Sequence, residues 1–301
     1  MSTEAPRAEA PQWFRDALDT AVEERVINVS GCDIAIRSWG KRELPGLVLV
    51  HGGAAHSRWW DHVAPFLAVD HRVVALDLSG HGDSGRRPEY GMASWAAEVN
   101  AVARDAEFTG PPVIVGHSMG GWVSMSAACA ADSHLTGVVV LDTPFRQRTP
   151  EDEAALARKA FGPLRVYPDF EEAVTHFRTI PDQPDSLPYV IDHVARNSLR
   201  QVQGGWSWKF DPQMFTRSNP GLELLQSIAC RAAVFRSERG LVSADMAAQV
   251  YELLGRAAPI VEIPLAGHHV MLDHPLSLVT GLRTLLADWE HSAAHGRNGA
   301  L

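Results

Sequence analysis

Pro112-Val113-Ile114-Val115-Gly116-His117-Ser118-Met119-Gly120 decides how this chain is read. The apolar run before Gly116 has the character of a buried strand, and the small residues from Gly121 to Ala131 open a helix. Between them a serine stands at the apex of a tight turn. A nucleophile lifted above a sheet edge on such a turn sits on strained backbone. Side chains two positions to either side would collide with it, so both positions are glycine. The pentapeptide alone is short enough to occur by chance. Its weight comes from standing between strand and helix, with further motifs at the right places.

Working outward, the same apolar signature recurs. Leu47-Val48-Leu49-Val50 is apolar on both faces, as a central parallel strand should be. Val73 to Leu76, Val113 to Val115, Val138 to Leu141 and Ala232 to Phe235 repeat it, and Pro259 to Ile263 does so more weakly. Helical stretches such as Trp60 to Ala68 and Ser94 to Phe108 lie between them. Alternating strands and helices predict an α/β fold with a mostly parallel central sheet covered on both faces. Ahead of this, residues 24–30 and 32–39 alternate apolar and polar about Gly31, which predicts an antiparallel hairpin. Trp13 to Val22 reads as a short amphipathic helix, and residues 1–11 as loose chain.

One stretch breaks the alternation. From Pro144 to Leu225 the chain carries prolines, an acidic helical stretch from Glu151 to Ala160 and a cluster of aromatic residues, with no strand apolar on both faces. We read 144–225 as an inserted helical cap, dividing the core into 1–143 and 226–301, with a disordered tail over 292–301.

The bulk numbers bound the class. The chain has 301 residues, 46% hydrophobic and 21% charged, enough for a sizeable core. A formal net charge of −9 argues against nucleic acid or an anionic membrane surface as the main partner. Cys32, Cys129 and Cys230 are widely separated and form no disulfide framework, which fits a reducing compartment. Met1-Ser2-Thr3-Glu4-Ala5-Pro6 has neither a basic start nor an apolar core, and no apolar run is long enough to span a bilayer. The expectation is a soluble cytoplasmic protein acting on a small molecule, with no cofactor and no metal.

A serine hydroxyl is a poor nucleophile by itself and needs a base within reach and a third group to orient that base. His268, in Leu265-Ala266-Gly267-His268-His269, follows the final strand and directly succeeds the loop glycine, so it is preferred over its neighbour His269. Two acids remain candidates. Asp142 ends the strand Val138-Val139-Val140-Leu141, and Glu238 ends the next. Asp142 is favoured because it is shorter, on a rigid strand end, whereas Glu238 stands beside Arg239. The competing role for Asp142 is a turn former before Thr143-Pro144. For the developing oxyanion, His51-Gly52-Gly53-Ala54 follows the first parallel strand. The N–H of Gly53 is the candidate donor, with that of Met119 at the helix N-terminus.

These pieces together resemble the α/β-hydrolase fold superfamily. His51-Gly52-Gly53, Asp77-Leu78-Ser79-Gly80-His81-Gly82-Asp83-Ser84, Gly116 to Gly120, and Ala266-Gly267-His268 with Leu272-Asp273-His274-Pro275 fall in the family's order, from about residue 25 to 290 outside the cap. The resemblance implies Ser118 as nucleophile, His268 as base, and Gly53 and Met119 as oxyanion hole. It gives Asp77 to Ser84 a structural role. The chain departs from the pattern in one place. Most members carry the acid in a G-x-x-D segment after the strand matching Ala232 to Phe235, and here Ser237 to Ser243 holds no aspartate until Asp245. Serine-hydrolase-like members of the superfamily resemble this chain in having Leu-Asp-Thr-Pro after the preceding strand, which supports Asp142.

A serine in place of an aspartate excludes the alkyl-ester chemistry of epoxide hydrolases and haloalkane dehalogenases. The expected reaction is acyl transfer to Ser118 and then to water, on an ester, thioester, lactone or amide of an apolar or aromatic compound. The alternatives are a carbon–carbon bond hydrolase of the same fold, a cofactor-free perhydrolase or haloperoxidase side activity, and a non-catalytic ligand-binding protein. A metal hydrolase has little support, because none of the 14 histidines forms a metal-binding motif and the spacing of His269, Asp273 and His274 suits no helical metal face.

Overall fold

The computed structural model describes residues 10–146, 151, 155, 164–216 and 220–292. The expected loose N-terminus up to residue 9, the tail from 293 and nearly all of the acidic stretch Glu151 to Ala160 lie outside the described residues. The remainder alternates strand and helix. A short helix α1 (Gln12–Leu18) precedes the hairpin β1 (Glu23–Val29) and β2 (Cys32–Trp39), followed by β3 (Gly46–Val50), a 3-10 turn over Ser57–Trp60, α2 (Ala64–Leu67), β4 (Arg72–Leu76) and α3 (Met92–Asp105). Then come β5 (Val113–His117), α4 (Met119–Ala128) and β6 (Gly137–Leu141).

The eight strands of the main sheet lie in the order β1-β2-β4-β3-β5-β6-β9-β10, where β9 is Arg231–Arg239 and β10 is Ile260–Gly267. From β4 to β10 every pairing is parallel, and only β1 with β2 and β2 with β4 are antiparallel. The chain steps from β3 to β4 on one side and returns to place β5 on the other. The order therefore reverses at β3, and the crevice beyond the carboxyl ends of β3 and β5 is where ligands of open α/β sheets bind.

The double-sided apolar strands divide their side chains between two cores. Val48 and Val50 of β3, Ile114 of β5 and Val138 and Val140 of β6 pack with Trp95 and Val99 of α3 and Trp122 and Val123 of α4. Their neighbours Leu47, Leu49, Val115, Val139 and Leu141 face the other way. They meet Phe14 of α1 and Leu278, Leu282 and Leu286 of the C-terminal helix α9 (Pro275–His291). A period of two with both faces buried is what the sequence pattern requires of a central sheet.

Between β6 and β9 the described residues include α5 (Phe170–Thr175) and α6 (Pro188–Asn197). They also include an antiparallel hairpin of β7 (Leu199–Val202) and β8 (Gly205–Trp208), so this segment is not purely helical as expected. The turn explains the difference. Gly204 and Gly205 both take positive φ, +90° and +142°, and the position of a Cβ on Gly205 is occupied by the carbonyl of Tyr167. Two glycines that only a bent main chain can use make the reversal possible. The remaining elements are α7 (Ala244–Leu253) and α8 (Val270–Asp273). No described helix is long and apolar enough to cross a membrane, and no disulfide links the three cysteines to one another.

Candidate active site

Ser118 joins β5 to α4 with φ 53° and ψ −117°, a conformation an L-residue adopts only where its surroundings impose it. The imposing contacts are local. The Ser118 N–H donates to the carbonyl of Leu141 at 3.0 Å, and its carbonyl accepts from Gly121 N at 3.0 Å. A Cβ on Gly120 would lie 2.5 Å from the Val50 carbonyl oxygen, and one on Gly116 would lie 2.6 Å from the Gly120 carbonyl carbon. Both flanking positions therefore exclude any side chain.

The structure brings Ser118, His268 and Asp142 together. His268 follows β10 and is buried. Its Nδ1 lies 2.7 Å from Asp142 Oδ2 and its Nε2 lies 3.0 Å from Ser118 Oγ. A carboxylate can only accept, so Nδ1 carries the proton and Nε2 presents a lone pair to the serine hydroxyl.

Asp142 takes φ 43° just past β6 and is 1% exposed. Four donors converge on its carboxylate. Besides His268, Leu241 N–H reaches Oδ2 at 2.7 Å, while Ser237 N–H at 3.1 Å and Val242 N–H at 3.4 Å reach Oδ1. Burial pushes the carboxyl pKa up. The hydrogen bond and charge of His268 and the amides of Leu241 and Ser237 outweigh it, and the group rests below the usual aspartate value. Gly240 makes room for this arrangement, since a Cβ there would sit 2.5 Å from the Asp142 carboxyl carbon.

Glu238, the other candidate acid, is exposed and turned to the opposite edge of β9, where Oε2 accepts from Leu265 N–H at 2.6 Å. Its neighbour Arg239 faces Asp185 at 3.5 Å. Glu238 is not brought to His268.

Gly53 and Met119 are adjacent, with a Cβ on Gly53 falling 3.8 Å from Met119 Sδ. The close approach in this turn belongs instead to Gly52. A Cβ there would lie 2.9 Å from His117 Nδ1 and 3.3 Å from Ser118 Cβ. His51 braces the turn from the other side, with Nδ1 2.7 Å from Gly52 O and Nε2 accepting from Leu78 N–H at 3.1 Å. Asp77, in the segment assigned a structural role, accepts from Ser57 N–H at 2.6 Å and Asp83 N–H at 2.8 Å.

Two supports of the histidine loop escaped the sequence reading. Gln183, from the segment between β6 and β9, clamps His269 with both ends of its amide: Oε1 accepts from His269 N–H at 2.8 Å and Nε2 donates to His269 O at 3.2 Å. No local motif marks such a residue. Asp273 accepts from Gly267 N–H at 2.6 Å. It lies in the trailing stretch that the sequence singled out, but nothing there specified its partner.

His117, His268 and His269 gather with ring nitrogens within 4.8 Å of one another, which neighbouring positions in the sequence did not foretell for His117. A metal ion held there would compete with bonds already made, since both nitrogens of His268 are engaged and His117 Nε2 lies 2.9 Å from His268 O. Burial, then the nearby His268, push His117 down to about 3, and the same causes hold His269 well below the usual histidine value.

A cavity of about 290 Å³ opens beside this group, with Gly53 and His269 in its wall. Its apolar lining comes from Trp59 and from Tyr167, Phe177, Trp208 and Phe210 of the segment between β6 and β9.

The comparisons with known proteins bear on the fold and the family. Esterase Rv0045c of Mycobacterium tuberculosis is 25% identical over 270 residues, covering 85% of this chain and 87% of that protein. A serine hydrolase-like protein of Danio rerio is 25% identical over 262 residues, 79% of this chain and 80% of its own length. Among solved structures, E-2-(acetamidomethylene)succinate hydrolase superposes with a TM-score of 0.77 at 21% identity, over 89% of this chain and 100% of that one, a likeness of fold. The sequence profile of the alpha/beta hydrolase family matches residues 47–280. The eight-stranded sheet, the serine turn on β5 and that match lead to one conclusion: this chain belongs to the alpha/beta hydrolase family.

Proposed function

We propose that this protein is a serine hydrolase that cleaves a carboxylic ester, thioester or lactone of an apolar or aromatic small molecule. The observation that carries the reading is the single imidazole of His268, 3.0 Å from Ser118 Oγ on one side and 2.7 Å from the Asp142 carboxylate on the other. In this reading Ser118 Oγ attacks the acyl carbon while its proton passes to His268 Nε2, and the new bond places negative charge on the former carbonyl oxygen. The N–H groups of Gly53 and Met119 receive that oxyanion at the N-terminus of α4. His268 then gives its proton to the leaving oxygen or sulfur, and the acyl group remains on Ser118. Water, deprotonated by the same imidazole, attacks the acyl carbon and frees the acid and the serine. Asp142 holds the tautomer and stabilises the imidazolium.

We assign residues 144–225 the role of a cap that shapes the substrate cavity, with residues 1–143 and 226–301 as the catalytic core. The aromatic lining supports an apolar or aromatic substrate. The family's mechanism requires no cofactor. Cysteines that form no disulfide with one another fit a cytoplasmic setting.

Labelling with a fluorophosphonate probe, with Ser118→Ala as control, tests the proposal together with hydrolysis of a short aryl ester. Labelling that requires Ser118 and hydrolysis that disappears with it are expected. An unlabelled, inactive wild-type protein would favour a ligand-binding role. A dienone substrate cleaved in preference to every ester would move the reading to carbon–carbon bond hydrolysis.

A further inference from the structure

The cavity that reaches Gly53 and His269 has a charge that the rest of the chain does not predict. On a protein of formal net charge −9, no aspartate or glutamate lines this cavity among the described residues, while Arg165, Arg178 and Lys209 do. Lys209 is already matched, with Nζ 2.7 Å from Asp83 Oδ1 and 2.9 Å from Oδ2. The two arginines are not. The carbonyl of Arg165 accepts from Ser207 Oγ at 2.9 Å, which fixes its main chain, but its guanidinium has no partner among the described residues. Among the described residues Arg178 uses only Nη1, on the carbonyls of Thr175 at 2.9 Å and Phe177 at 2.5 Å, and no carboxylate answers its charge. Its remaining N–H groups form part of the planar fork that grips carboxylate and phosphate oxygens.

The other titratable groups on the wall do not offset this. His56 is buried, with Nε2 2.8 Å from Ser198 Oγ, and burial holds its pKa well below the usual value, so it is neutral. His269 is neutral for the same reason. His176, stacked on Tyr167 at 4.9 Å, also lines the wall, and a histidine can add only positive charge. The unmatched fixed charge of the cavity is therefore the pair Arg165 and Arg178. Both are exposed, and they share the cavity wall with the aromatic rings Trp59, Phe177 and Trp208 and with Gly53.

Resting on the hydrolase reading above, we propose that the natural substrate carries an anionic group, a carboxylate or a phosphate, remote from the bond that is cleaved, and that Arg165 and Arg178 bind it. The substrate class is then an ester or thioester with an apolar middle and a charged end. A half-ester of a dicarboxylic acid and a thioester of a phosphorylated thiol are its two chemical forms.

Two matched pairs test this. The first is the p-nitrophenyl monoester of a six-carbon dicarboxylic acid against the same ester with its free carboxylate methylated. The second is a short acyl thioester of phosphopantetheine against that of pantetheine. The readout is the ratio of kcat/KM within each pair, in wild type and in the Arg165→Gln/Arg178→Gln double variant. The expected result is a preference for the anionic member of one pair of about tenfold, residing in KM and shrinking as salt rises, as an exposed contact should. It is lost in the double variant and partly retained in Arg178→Lys. A preference in the first pair identifies the carboxylate form, and one in the second the phosphate form. Equal rates within both pairs, or a preference that survives the double variant, overturn the proposal. Titrating the Ser118→Ala protein with the same pairs by calorimetry reads the preference as a ratio of Kd values without turnover. An anion site absent from an active hydrolase is thereby distinguished from a protein that binds anions but does not hydrolyse.

Discussion

Replacing Asp142 by asparagine should both inactivate and destabilise the protein, and the structure says by which route. Four donors meet the carboxylate: Leu241 N–H and His268 Nδ1–H at Oδ2, Ser237 N–H and Val242 N–H at Oδ1. An asparagine has one acceptor oxygen, so its NH2 must face one of these two pairs of donors. Turned toward Ser237 and Val242 it strands two amides that have no other form. Turned toward Leu241 and His268 it strands one, because the imidazole can move its proton from Nδ1 to Nε2 and accept. An unsatisfied buried N–H costs about 1–3 kcal/mol, so the second orientation wins. The cost to folding is then about 1–3 kcal/mol, read as a lower urea midpoint at unchanged slope. The cost to catalysis is larger, since a proton on Nε2 leaves Ser118 facing a donor. Loss of the correct tautomer lowers kcat by about 10⁴-fold. Steady-state hydrolysis of an aryl ester measures this, with Glu238→Gln as the companion variant, expected within about threefold of wild type because Glu238 bonds Leu265 N–H and not His268. An Asp142→Asn protein within tenfold of wild type beside an inactive Glu238→Gln protein would refute the reasoning. So would Asp142→Asn with full stability, which would mean that the amide accounting is wrong.

Two further predictions concern neighbouring features. Gly52→Ala places a methyl 2.9 Å from His117 Nδ1 and should cost about 1–3 kcal/mol of stability, whereas the methyl of Gly53→Ala has no neighbour closer than 3.8 Å among the described residues and should cost under about 1 kcal/mol; urea melts compare them. Acid should unfold the protein early, because burial pushes the His62 pKa down to about 4 in the folded state while the unfolded side chain titrates at its ordinary value of 6.5. Between those values only the unfolded chain binds the proton, so stability falls as pH drops from 6.5 toward 4. His62→Gln, able to keep the bond to Met271 O, should flatten the dependence by about 1.4 kcal/mol per pH unit, and an unchanged slope in pH-dependent urea melts would contradict this.

The sheet was legible because its central strands are apolar on both faces, a pattern that few other environments tolerate. Ser118 and His268 were legible because each stands in a short motif with a mechanical reason. The hairpin β7–β8 was not, because Leu199-Arg200-Gln201-Val202 lacks the continuous apolar run that marked the other strands, and its turn depends on the close approach of Tyr167 to Gly205. The choice between Asp142 and Glu238 also exceeded what local sequence holds. Both follow apolar runs, and what separates them is register. Leu141 pairs with Phe235, so β6 stops there while β9 continues to Arg239. Asp142 therefore stands at the sheet rim level with the His268 loop, and Glu238 projects past it toward β10.

The loop from Ser237 to Val242 is the segment where the family pattern expects an acid, and here it has the inverse chemistry. It offers three amides and a glycine in place of a carboxylate. The position of the negative charge is therefore defined by the loop as well as by the residue that supplies it. A Cβ on Gly240 would fall 2.5 Å from the Asp142 carboxyl carbon. A side chain from residue 240 thus starts where the Asp142 carboxylate ends, provided that carboxylate is removed. Asp142→Gly alone should lower kcat by about 10³- to 10⁴-fold. Gly240→Asp alone should also be damaging, since it brings two carboxylates into one buried site. Together, Asp142→Gly/Gly240→Asp should regain at least about tenfold over Asp142→Gly. A Cβ 2.5 Å from the old carboxyl carbon lets the new one, a bond further on, come within about 1 Å of it in its best rotamer, and a displacement of that size costs roughly 10²-fold rather than everything. Aryl ester hydrolysis by the three proteins decides the matter. Rescue would mean that His268 needs a negative charge at a place, not aspartate at a position. A double variant no better than Asp142→Gly, yet as stable as wild type in urea, would mean that the four-donor geometry at residue 142 is itself required.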